Sequence, residues 1–181
     1  MGMLLAFAPF FIFVLIERTV GVGAGLIAAS IVAAILLARD IVLRKGIKIL
    51  DIGALALFGG LAIYALSVRP DWSVIAVRLR VDLGLFLIVL ASMVLRRPFT
   101  LQYAREQVPE EFWGSQEFVR TNYVITAAWA AAFAIMVIAE ACIVYVPSVP
   151  RRLGLLVTIF AIVAAVKFTS WYPDRNKTKT V

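Results

Sequence analysis

The charges that could do chemistry stand at a few places in an apolar chain. Arg78, Arg80 and Asp82 share one short stretch, while Glu17, Arg18, Glu140 and Arg152 border other apolar runs. A charge at membrane depth is costly and faces a partner, water or a ligand. Arg78 and Asp82 are four residues apart, so on a helix they share a face. If the surrounding runs cross a bilayer, Glu17, Arg78, Arg80, Asp82 and Glu140 fall near one level, towards the outer surface. Such a cluster could line a polar cavity that binds a lipid head group or an ion. The commoner arrangement is an ion-pair clasp at helix ends, with long side chains reaching to water.

A second pattern is a stripe. Asn122, Thr126, Trp129, Phe133, Met136 and Glu140 recur at steps of four or three, which puts them on one helix face. A polar and aromatic stripe could line a pathway. More often it is the face that packs on neighbouring helices, where Asn and Thr bond across the interface.

For catalysis the inventory is poor. The chain has no histidine and one cysteine, Cys142. Both the commonest general base and the commonest metal ligand are therefore missing. No carboxylate dyad, nucleophile beside a base or Asp-rich metal motif stands out. The glycines at 21, 23 and 25 hint at a phosphate loop but lack the Lys-Ser/Thr ending. Gly21 and Gly25 instead form a small-xxx-small pair, which lets helices approach and leaves oligomerisation open. The expectation is a protein that is not an enzyme and that holds neither cofactor nor metal.

The elements that must position these residues follow from composition. Of 181 residues, 63% are hydrophobic and 16% charged. A soluble domain of this size is nearer half apolar and a quarter charged, so the bilayer is the natural solvent for the excess. The net charge of +7 is spread between apolar runs. That suits anionic head groups and topology control better than a nucleic acid, and none is expected as a partner. No strand-like alternation appears.

The predicted fold is all-α, a polytopic integral membrane protein of about six helices in one membrane domain, with no soluble domain. The predicted spans are 3–17, 20–38, 47–68, 75–95, 121–144 and 152–172. The first is short and contains Pro9, and five spans result if it lies at the interface. The fourth reaches span length only by including Arg78, Arg80 and Asp82. Asp51, near Lys48 and Arg44, is expected to form an interfacial pair, and Lys167 to snorkel. Residues 98–118 read as an amphipathic cytoplasmic connector, with Phe99, Tyr103, Phe112, Trp113 and Phe118 at head-group level. Residues 173–181 form a basic tail, expected to be disordered.

Lys and Arg collect on the cytoplasmic side. With the N-terminus inside, that side holds Arg39, Arg44, Lys45, Lys48, Arg96, Arg97, Arg105, Arg120, Arg175, Lys177 and Lys179. The outer side holds the smaller set Arg18, Arg69, Arg78, Arg80, Arg151 and Arg152. Both termini are therefore expected in the cytoplasm.

The order of several short motifs resembles the bacterial inner-membrane septation protein A family, or intracellular septation proteins. These are Phe7-Ala8-Pro9-Phe10-Phe11, Phe58-Gly59-Gly60-Leu61, Arg96-Arg97-Pro98, then Asn122 and Ala128-Trp129-Ala130. They run over nearly the whole chain. The chain departs from the family pattern at Arg78 to Asp82, around Pro109 to Ser115, and at Arg151-Arg152. The resemblance implies a helical inner-membrane protein tied to envelope integrity or division, and no enzyme. The expected partners are the lipid bilayer and other membrane or division proteins. The alternative is a small transporter, channel or lipid-handling protein that uses the outer charge cluster.

Overall fold

Pro9 decides how the chain begins. It has no N–H to give, so it is tolerated in a first helical turn and disfavoured inside a helix. The stretch expected as one span accordingly folds as α1 (Gly2–Ala6) and α2 (Ala8–Thr19), with Pro9 in the first turn of α2. The computed structural model describes residues 2–68, 70–146 and 148–177. Arg69, Pro147 and the end of the predicted basic tail, 178–181, lie outside the described residues, as does Met1.

Then follow α3 (Val22–Val42), α4 (Ile49–Val68), α5 (Val74–Val94), α6 (Phe99–Ala104), the short 3-10 helix η1 (Glu110–Phe112), α7 (Gln116–Tyr145) and α8 (Arg151–Lys177). No strand occurs among the described residues. Helices α3, α4 and α7, and residues 152–173 of α8, are long and apolar enough to cross a membrane. These four apolar helices point to a membrane location. Helix α2 has 12 residues and rises about 18 Å, against a hydrocarbon core of about 30 Å. Helix α5 matches α3 in length at 21 residues. Arg78, Arg80 and Asp82 in its first half, and not its length, set it apart.

The chain divides into two units, residues 1–88 and 89–181, with the boundary inside α5. In the first, α3 packs on both α2 and α4. Its seam is built from small residues: Gly25, Ala29 and Ala33, one turn apart on α3, and Ala54 and Ala62, two turns apart on α4, are all buried. Without large side chains between them, the helix backbones come close, and dispersion contacts can hold helices that water does not push together. Phe58 fills the remaining space, edge-on to Phe10 at 4.9 Å and tilted against Phe13 at 5.7 Å. Val77 and Val81 of α5 join this cluster.

In the second unit, α7 pairs with α8 and α6 lies on α7. Ser115 caps α7, its Oγ accepting from the Phe118 N–H at 3.2 Å. The helix thus starts inside the expected connector. Helix α8 is buried only at Gly154, Ala161 and Ala165 among its described side chains, which recur at helical spacing. It continues through Pro173 to Lys177, so the start of the expected tail is helical. The expected aromatic belt divides. Phe112 is exposed and Trp113 and Phe118 are half-buried, whereas Phe99 and Tyr103 are buried on α6.

Candidate functional site

Glu17 lies in the last turns of α2 and is 5% exposed. A lone buried carboxylate would be costly, and Arg78 of α5 answers it. The guanidinium Nε donates to Oε1 at 3.1 Å and to Oε2 at 2.9 Å, and Nη2 also donates to Oε1. This forked geometry is the strongest form of such a pair. Gly25 of α3 lies against the α2 backbone at Glu17. A Cβ there would meet the Glu17 amide nitrogen at 3.1 Å, the Phe13 carbonyl oxygen at 3.1 Å and the Glu17 Cβ at 3.2 Å. The α2–α3 crossing is therefore tight where the charge is buried.

Arg80 faces elsewhere. Its Nη1 donates to the Ala76 carbonyl at 2.7 Å, and its guanidinium carbon lies 4.6 Å from the Trp72 ring centre. Trp72 stacks in turn on Tyr64 at 5.1 Å and 9°. The result is a cation–π contact backed by a second ring. Asp82 is half-buried one turn beyond Arg78. The structure thus joins Glu17 with Arg78 and gives Arg80 a separate aromatic seat. Glu140 belongs to the second unit. It is buried on α7, and a Cβ at Gly154 of α8 would come within 3.6 Å of its Oε1.

The α3–α4 turn holds a charge network that the spacing argument missed. Asp40 is 1% exposed and Lys48 3%. Lys48 Nζ pairs with Asp40 Oδ2, while Arg39 donates to Oδ1 from Nε at 2.9 Å and from Nη2 at 2.6 Å. Asp51 is buried in the first turn of α4. Helix α3 ends with Lys45 N–H on the Asp40 carbonyl at 2.9 Å and Arg44 N–H on the Ile41 carbonyl at 3.1 Å. This is a Schellman cap, with Arg44 at φ 51° where glycine is usual. Helix α5 ends the same way. Arg97 N–H meets the Ser92 carbonyl at 2.9 Å, Arg96 N–H the Met93 carbonyl at 3.0 Å, and Arg96 has φ 56°. The repeated Val-Leu-Arg followed by Lys45 or Arg97 was a visible signal for this shared ending.

The stripe on α7 faces inward. Asn122, Thr126, Trp129, Phe133, Met136 and Glu140 are all buried. Thr100 of α6 donates to the Asn122 carbonyl at 2.9 Å and shares a 2.7 Å hydroxyl contact with Thr126. Trp129 Nε1 donates to Thr169 Oγ1 of α8 at 2.9 Å, and Thr169 donates to the Ala165 carbonyl at 2.8 Å. The polar members of the stripe bind α6 and α8 to α7. Thr100 was missed because its segment reads as an interfacial connector.

Chemically, these arrangements pair charges and tie helices. Among the described residues, no buried side-chain nitrogen or oxygen lacks a partner. No group of three carboxylates or thiols among them could hold a metal ion. Comparison with protein-family models, with curated proteins and with solved structures gave no match.

Proposed function

We propose that the chain is a non-enzymatic, multi-pass protein of the bacterial inner membrane, similar to the septation protein A family. It supports envelope integrity or division through contacts made by its helices and cytoplasmic loops. In this reading α2 and α5 complete a six-helix arrangement with both termini in the cytoplasm. The observation that carries it is the fate of the membrane-depth charges: Glu17 is locked to Arg78, and Arg80 rests on Trp72. Groups so engaged suit a clasp better than a binding cavity. Motif order from Phe7 to Trp129 and the basic helix ends at Arg44 and Arg96 add support.

The test is labelling of single cysteines in sealed vesicles, with Cys142 replaced. Positions 45 and 97 should react only from the cytoplasmic side. Positions 17, 78, 82 and 140 should resist an impermeant reagent from either side. Reaction at 82 and 140 that an added ion or lipid blocks would replace this proposal with the transport or lipid-handling alternative.

A further inference from the structure

Among its described side chains α8 is buried along a narrow seam, and an open apolar groove of about 630 Å³ runs between it and α7. Ala128, Ala132 and Ile135 of α7 form one wall, and Phe160, Ala164 and Phe168 of α8 the other. On α8 the groove extends from Leu156 to Phe168. Twelve residues of helix make about 18 Å, comparable with one leaflet, about half of a 30 Å core.

One end of this groove is charged. Phe160, Ala164, Lys167 and Trp171 recur at steps of four, three and four, so Lys167 and Trp171 continue the groove face of α8. Lys167 is exposed, and Trp171 is 51% exposed. Lys167 lies six residues inside the end of the apolar segment at Pro173, about 9 Å along the helix. An ammonium at that depth on a lipid-facing surface is stabilised by an anion brought to it or by a long reach to water. A molecule with an apolar chain one leaflet long and a negative head satisfies both parts of the surface.

We propose that the α7–α8 groove binds an anionic phospholipid of the bilayer. One acyl chain lies between Ala128 and Phe160, the phosphate pairs with Lys167, and Trp171 sits at the level of the glycerol. The site is independent of any septation role.

The experiment uses the full chain in mild detergent and native mass spectrometry, with phosphatidylglycerol and phosphatidylcholine at equal concentration. Phosphatidylglycerol should be retained preferentially. Lys167→Gln should reduce that retention about fivefold, the scale of one basic residue at an anionic lipid surface, and Lys167→Arg should restore it. Ala131→Leu with Ala164→Leu, which fill the groove at its lipid-facing wall, should reduce retention of both lipids. Lys45→Gln, an exposed cation on the first unit, serves as the control and should change nothing. Equal retention of the two lipids, or unchanged retention after filling the groove, overturns the proposal. So does a Lys45→Gln effect as large as that of Lys167→Gln, because the attraction would then be general. A dimer that the groove-filling variant abolishes and that carries no lipid would assign the groove to a second copy instead.

Discussion

Replacing Arg78 by Met should be among the most damaging single changes in the first unit. Arg78 donates to both oxygens of the Glu17 carboxylate, at 2.9 and 3.1 Å from Nε and once more from Nη2. The Glu17 side chain is 1% exposed and that of Arg78 22%. Removing the guanidinium leaves an unpaired carboxylate on a side chain with almost no exposure. Breaking a buried pair in this way costs about 3–5 kcal/mol. Glu17→Gln is milder. It leaves a neutral amide that can still accept a bond, and an arginine with some access to solvent, so the loss should be about 1–3 kcal/mol. Replacing both, as Glu17→Gln with Arg78→Met, removes the buried charge altogether and should recover much of the Arg78→Met loss. The assay is reversible unfolding in mixed micelles with increasing SDS, followed by helical circular dichroism. A double-mutant cycle gives the coupling directly. If the double variant is as unstable as the sum of the two single changes, to within about 0.5 kcal/mol, the argument that each charge is held by the other is wrong.

Other outcomes follow from the same geometry. Gly25→Leu should destabilise by about 1–3 kcal/mol, since new atoms would enter a crossing already at 3.1 Å, while Gly23→Leu, with nothing within 4 Å, should be nearly silent in the same unfolding assay. Arg44→Gly and Arg96→Gly should each stabilise their helix ends by about 1–2 kcal/mol, because φ values of 51° and 56° are costly for a residue with a Cβ. An unchanged or lower stability for both would refute that. Thr126→Val keeps shape but removes the 2.7 Å contact with Thr100, and should cost about 0.6 kcal/mol, at most about 1.7, because Thr100 keeps the Asn122 carbonyl.

The apolar helices were legible from the sequence because about 20 apolar residues in a row leave a chain few alternatives. Their ends were less so. Arg39 and Asp40 read as the start of a loop, since charges usually leave a membrane helix, yet α3 continues to Val42. Its carboxylate is neutralised by Lys48 eight residues on, across a turn that sequence spacing does not describe. Arg78 was recognisable as a charge in need of a partner. That the partner is Glu17 depends on how α2 and α5 pack, which no short-range pattern encodes. Thr100 and Phe99 share a segment with exposed glutamates, so average polarity concealed the inward turn of α6. The stripe on α7 was visible because periodicity within one helix is a local property.

The placement of Gly25 against Glu17 has a mechanical consequence. A helix pair joined only by smooth apolar faces can shift along its axis at little cost. Here a shift of one turn, about 5.4 Å, would separate the carboxylate from Arg78, and in the direction that sets Ala29 in place of Gly25 it would bring a methyl group to the spot only a hydrogen now occupies. The crossing behaves as a dowel in a joint: it fixes the register of α2 on α3, so a pull on the basic end of α3 moves the hairpin as one piece.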